Sequence, residues 1–174
     1  MHQYLRYILT VTAFILVDQA SKTYLISFLK TRDNFILEIT PFLDFVYSWN
    51  YGISFGLFRE YYQYSNYALL ALNICIVIYL ISLLIQSSTG RIAVYGLEMI
   101  IGGAIGNLTD RILRGAVFDF IYFNYAEFSF PAFNVADSFI SIGAVLFLYD
   151  QFFAKKPLAE NQDRDYDQTI LKEQ

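Results

Sequence analysis

Apolar residues run along this chain in long stretches, each close to 20 residues, separated by shorter polar segments. The most continuous stretch, from Tyr67 to Ile85, is interrupted only by Asn73, Cys75, Tyr79 and Ser82. A hydrocarbon layer about 30 Å thick needs about 20 residues at about 1.5 Å each, so the pattern predicts four membrane-crossing helices, over 5–28, 67–86, 91–110 and 135–153. The first is broken by Asp18-Gln19-Ala20-Ser21-Lys22 and looks like a leader. No small-residue cleavage site follows its apolar part, so a retained span is expected. Between the first two helices, residues 30–66 switch to alternation of β-favouring residues (Phe35 to Thr40, Phe42 to Trp49) with Gly52 and Gly56, which predicts a small strand-and-turn element at the membrane surface. Tyr61, Tyr62, Tyr64 and Tyr67 fit an interfacial aromatic belt. The short polar turn Gln86 to Arg91 makes the second and third helices an antiparallel hairpin.

The expected organisation is therefore a membrane, all-α domain over 1–154 with a small β element, followed by a polar tail over 155–174 that has too few apolar residues to pack. There is no internal repeat. Composition agrees: of 174 residues, 56% are hydrophobic and only 16% charged, against about 25% charge in a soluble domain. The net charge of −4 owes much to the tail acids Glu160, Asp163, Asp165, Asp167 and Glu173, so it describes no working surface and nucleic acid is not an expected partner. One cysteine, Cys75, inside an apolar run, leaves no disulfide and no thiolate metal site to expect. Counting Lys and Arg on the two sides does not settle orientation, but Lys155-Lys156 after the last helix favours both termini in the cytoplasm.

Four spans impose a parity that holds in either orientation. Asp18 and Lys22 lie late in the first helix, Asn50 and Gly52 in the first loop, and Asn107, Asp110 and Arg111 at the end of the third helix. Asp119 falls in the next loop, and Asn134, Ala136 and Asp137 open the fourth helix. All share one membrane face. Ionisable groups near hydrocarbon cost about 2.5–3.5 kcal/mol each on insertion scales, so such a gathering is a functional site by default. Plainer readings exist for its parts. Asp18 and Lys22, one helical turn apart, could be only an intrahelical ion pair. Asn107 and Asp110 could end a helix with Arg111 snorkelling, and Asn134, Asp137 and Ser138 suit a helix N-terminus. Gly102, Gly103 and Gly106 form a small-residue packing face. Glu98, midway along the third helix, has no evident partner and is read as a buried hydrogen-bonding or headgroup-facing group.

Chemistry narrows the site further. The one histidine, His2, lies on the opposite face, which removes a Ser-His-Asp or Cys-His arrangement and leaves no metal site to expect. Paired carboxylates remain. Two aspartates close together in a low-dielectric pocket raise one another's proton affinity, so the pair holds one proton; one member then activates water while the other protonates a carbonyl oxygen.

The motifs Asp18-Gln19-x-x-Lys22, Asn50-x-Gly52-x-x-Phe55-Gly56, Gly102-Gly103-Ala104-x-Gly106-Asn107-x-x-Asp110-Arg111, Val117-x-Asp119-Phe120 and Phe133-Asn134-Val135-Ala136-Asp137-Ser138 occur in this order. Together they resemble signal peptidase II, the prolipoprotein signal peptidase family. Ile53-Ser54 depart mildly from the small residues usual in the second block. The resemblance implies a membrane aspartic endopeptidase that cuts diacylglyceryl-modified bacterial prolipoproteins before the lipidated cysteine. By matching position, Asp119 and Asp137 would be catalytic. Asp18, Lys22, Asn50, Gly52, Asn107, Asp110, Arg111, Asn134 and Ala136 would support them or the substrate. No cofactor is implied. Expected partners are the modified prolipoprotein signal peptides, membrane lipids and globomycin-type inhibitors, with a monomer in the bacterial cytoplasmic (inner) membrane and the site at its outer face. Two other classes compete: a Mg²⁺-dependent lipid phosphotransferase using Asp110, Asp119 and Asp137, and a transporter or proton relay, whose charges would sit nearer the midplane.

Overall fold

The computed structural model describes residues 2–52, 62–86 and 90–153, the side chains of 62–66 excepted. The expected tail over 155–174, Phe55 and Gly56 of the second motif, and the side chains of Tyr61, Tyr62 and Tyr64 lie outside the described residues. Four helices are present among the described residues: α1 (His2–Leu29), α2 (Tyr62–Gln86), α3 (Arg91–Arg114) and α4 (Val135–Phe153). Three segments, Tyr67–Gln86, Arg91–Arg114 and Val135–Phe153, are long and apolar enough to cross a membrane on composition alone. The first helix is longer still, yet Asp18, Gln19 and Lys22 dilute its apolar content. Those three side chains turn inward toward α3, leaving Leu9, Leu16 and Val17 exposed to the surroundings. Arg111 and Arg114 occupy the last turn of α3, where cations suit the carbonyl end of a helix. That helix therefore outlasts the expected end at Asp110. It stops at Gly115, whose φ of 79° lies in the left-handed region that a helix-ending residue adopts and glycine tolerates.

Close approach explains the glycines of α3. A Cβ on Gly102 would lie 2.6 Å from Phe14 of α1, one on Gly103 would strike the Ala136 carbonyl of α4, and one on Gly106 would lie 2.5 Å from Asp18 Oδ2. The packing face read from the sequence thus seats α1 and α4 against α3 at the level of the polar residues.

The β element is larger than the first loop alone. β1 (Ile36–Thr40), β2 (Leu43–Asn50), β3 (Val117–Tyr125) and β4 (Phe128–Ser129) form one antiparallel sheet in that order, so the α3–α4 connection supplies half of the strands. Asp119, expected in a loop, lies in β3 opposite Ser48 of β2. The correction has a simple cause. Val117-Phe118-Asp119-Phe120-Ile121-Tyr122-Phe123 is a run of β-branched and aromatic residues, and its pairing partner, β2, is remote in sequence. Alternation sends Phe118 and Phe120 to one face, where they pack with Leu25 and Leu29 at the end of α1 and with Phe45, Tyr47 and Trp49. Each such side chain taken from water contributes about 1.5–3 kcal/mol. Asp119 is left on the other face, toward the start of α4.

Candidate functional site

Asp119 and Asp137 are held by one helix start. Asn134 precedes α4 and its Oδ1 accepts the Asp137 backbone N–H at 3.0 Å, while Asp137 Oδ2 accepts the Asn134 N–H at 3.2 Å. This reciprocal pair is a capping box built from Asn and Asp. The Asn134 side chain also donates from Nδ2 to Asp119 Oδ1 at 2.6 Å, so one residue ties both carboxylates to the start of α4, through its backbone N–H to Asp137 and its side chain to Asp119. Backbone pairing brings them together: Phe133 bridges Ile121, with N–H···O distances of 2.8 Å and 3.0 Å, which lays residue 134 alongside β3. The capping reading and the site reading of these residues are therefore the same structure.

The remaining carboxylate oxygens also meet amides. Asn107 Nδ2 donates to Asp137 Oδ1 at 2.8 Å, and Asn50 Nδ2 to Asp119 Oδ2 at 2.9 Å. Asn50 Oδ1 accepts the Gly52 N–H at 2.8 Å, closing a turn in which Gly52 has φ 81°. A Cβ on Gly52 would sit 3.2 Å from a guanidinium nitrogen of Arg111, so the turn and Arg111 are in close contact. Arg111, half-buried, thereby reaches the region of the two carboxylates from the last turn of α3.

Behind this layer lies a fully buried ionic one. Lys22, Asp18 and Asp110 have no exposed surface. Lys22 Nζ lies 2.9 Å from Asp18 Oδ2, 3.0 Å from Asp110 Oδ2 and 2.9 Å from Asn107 Oδ1, which uses its three donors. Asp18 Oδ1 accepts the Ala136 N–H at 3.0 Å, bracing the first turn of α4 from α1. Asp110 Oδ2 also accepts the Phe118 N–H at 3.2 Å, fixing the residue next to Asp119. Asp110 Oδ1 pairs with Arg114 and accepts from Gln19 at 3.1 Å. With both oxygens engaged by cations and amides, Asp110 is a structural anion. It does not converge with Asp119 and Asp137 on a common point, as the phosphotransferase reading requires. Among the described residues no group of three or more His, Cys, Asp or Glu side chains is placed to hold a metal.

The structure thus brings the residues expected on the shared face together, Asp18 and Lys22 acting through Asn107 and Ala136, while Glu98 lies apart from them beside Arg6. Gln19 and Arg114 were missed as members. Gln19 donates to Asp18, to the Gly106 carbonyl and to Asp110, and accepts from Arg114 at 3.0 Å. The signal for Arg114 was its spacing of four from Asp110.

Asp119 is 3% exposed, and burial pushes its carboxyl up to about 6, with the Asp137 charge adding to the rise and the Asn50 and Asn134 hydrogen bonds opposing it. A carboxyl raised above its unfolded value stabilises the fold below pH about 4 and loses that contribution as pH rises through about 6. Wild type is therefore expected to lose about 2–3 kcal/mol relative to Asp119→Asn between pH 4 and pH 7. Thermal unfolding of both proteins in detergent across that range measures it, and parallel curves would refute the raised value.

Comparison with known proteins gives a consistent picture. The chain matches the family described as Signal peptidase (SPase) II over residues 10–153. It is 50% identical over 158 residues to the lipoprotein signal peptidase of Rickettsia felis, covering 90% of this chain and 79% of that protein. Against the lipoprotein signal peptidase of Rickettsia prowazekii it is 49% identical over 158 residues, covering 90% and 80%. A solved bacterial membrane enzyme, determined by the in meso method at 2.3 Å resolution, superposes with a TM-score of 0.70 at 29% identity, covering 87% of this chain and 92% of that one.

Proposed function

Because the chain belongs to the signal peptidase II family, a multi-pass membrane peptidase that processes lipoprotein precursors, we propose that it cuts them as an aspartic endopeptidase. The observation that carries this reading is the pair Asp119 and Asp137, hydrogen-bonded to the same Asn134, with Asp119 raised toward neutral pH. Asp119 holds the shared proton because its site is the more dehydrated. Asp137, half-buried and closer to water, removes a proton from the attacking water. As the water oxygen bonds to the scissile carbonyl carbon, Asp119 delivers its proton to the carbonyl oxygen. Collapse of the tetrahedral diol returns a proton to Asp119, and Asp137 passes its proton to the departing amine. Asn107, Asn50 and Asn134 hold the two carboxylates in place through these exchanges, while Lys22 holds Asn107.

The position of the pair suits a lipid-modified substrate. The carboxylates lie at one end of the helix bundle, beneath the sheet, where a membrane-anchored peptide presents its surface segment while its acyl chains stay in lipid. We place that end at the outer face of the cytoplasmic membrane, with both termini inside. The protein is to be incubated with a diacylglyceryl-modified prolipoprotein and with its unmodified precursor, each with and without excess EDTA. The expected result is cleavage of the modified form alone, before the lipidated cysteine, unchanged by chelation. Preference for the unmodified precursor would overturn the substrate, and loss of activity in EDTA would overturn the metal-free mechanism.

A further inference from the structure

At the end of the bundle away from the carboxylate pair, α1, α2 and α3 enclose a crevice of about 380 Å³ whose walls include Tyr7, Val11, Ile15, Leu84, Ile101 and Ile105. No charged side chain lines it. Along α1 the lining runs from Tyr4 to Ile15, about 16 Å at about 1.5 Å per residue, or about half of the hydrocarbon thickness. It ends one turn short of Asp18. Beside its end nearest the α1 N-terminus stands Arg6, whose side chain is 43% exposed. The Arg6 guanidinium lies 4.9 Å from the centre of the Tyr7 ring and 5.3 Å from that of Tyr95. Behind it is Glu98, fully buried, 3.6 Å from Arg6, its two carboxylate oxygens accepting no hydrogen bond. A buried anion and two aromatic rings therefore fix a half-exposed cation beside the mouth of an apolar slot. The cleavage chemistry uses none of these groups.

We infer that the crevice seats a phospholipid of the leaflet on the side of the α1 N-terminus, one acyl chain lying between α1 and α2 and the phosphate meeting Arg6. Length and apolar lining suit an unbranched chain, and planar guanidinium suits phosphate oxygens. Charge decides against the other apolar occupant at hand, the hydrophobic segment of a signal peptide. Such a segment is preceded by a basic stretch, which would bring like charge to Arg6, and Glu98 is too deeply buried to receive it. Glu98 thereby gains a role: it holds Arg6 at the crevice and not in open water.

The test uses the full chain in phospholipid vesicles containing a trace of phosphatidylglycerol with a diazirine midway along one acyl chain. After illumination, cross-links are expected to concentrate on Val11, Ile15 and Ile101 over the outward-facing Leu9 and Leu16. Arg6→Gln is expected to lower labelling of those three positions about tenfold. Arg6→Gln/Glu98→Gln, which leaves no unpaired buried charge, is expected to do the same. A diacylglycerol with the same diazirine chain, lacking phosphate, is expected to label them weakly. Even labelling around the bundle, equal labelling by the diacylglycerol, or stronger labelling by a diazirine-bearing signal-peptide segment would each overturn the assignment. Prolipoprotein cleavage in the same vesicles reports separately on the carboxylates.

Discussion

Asp119→Asn and Asp137→Asn are each expected to lower prolipoprotein cleavage by about 10³- to 10⁴-fold, with the protein still folded in detergent. Each carboxylate has one chemical task that an amide cannot perform, since an amide neither accepts a proton from water nor gives one to a carbonyl oxygen at neutral pH. Geometry is kept well enough for the loss to be chemical. Asn at 137 retains a carbonyl oxygen for the Asn134 N–H and Asn at 119 retains one for Asn134 Nδ2, and the cost in each variant is confined to the second contact, where the new NH2 meets the donor Asn107 Nδ2 or Asn50 Nδ2. The double variant is expected to be no worse than the slower single one, because groups that act as a unit are not additive. The rate constant for cleavage of a lipidated precursor, read beside the unfolding temperature of each variant, checks both halves. An active Asp137→Asn protein would remove the pair from the mechanism.

Lys22→Met is expected to destabilise the fold by about 3–5 kcal/mol, the usual consequence of leaving a buried ion without its partner. Lys22 touches Asp18, Asp110 and Asn107 and has no exposed surface. Without it the two buried carboxylates face each other across Gln19, with Arg114 alone to balance them. Asn107 would also lose the contact that aims it at Asp137, so activity should fall in whatever folded fraction survives. Lys22→Met/Asp18→Asn removes one charge of each sign and is expected to recover part of the stability. Denaturation in detergent, compared among wild type, the single and the double variant, measures the coupling. Equal stability of the single variant and wild type would show that the triad contributes nothing to the fold.

Much of the site was legible in the sequence because membrane energetics and parity act on sequence directly. Asp18, Lys22, Asp110 and Asp137 stand out against apolar surroundings, and four spans put them on one face whatever the orientation. The glycines of α3 were readable for a similar reason, as small residues in an apolar helix mark close packing. Asp119 was singled out as a candidate but placed in a loop, since the strand that orders it depends on β2, about 70 residues earlier in the chain. Gln19, although part of the first motif, and Arg114 were given no role because neither is unusual near a membrane surface, and their importance lies in whom they touch.

By itself the sequence determined that the chain is a multi-pass membrane protein, where its long helices lie, and which few polar residues gather together, because the cost of placing charge in hydrocarbon is felt residue by residue. It could not assign partners among them. Only the tertiary structure decided that Asp110 is neutralised by Lys22 and Arg114, whereas the carboxylates of Asp119 and Asp137 accept hydrogen bonds from the neutral amides of Asn50, Asn107 and Asn134. The physical reason is that a carboxylate's chemistry depends on the donors within about 3 Å of it. In this fold those donors come from helices and strands far apart in the chain.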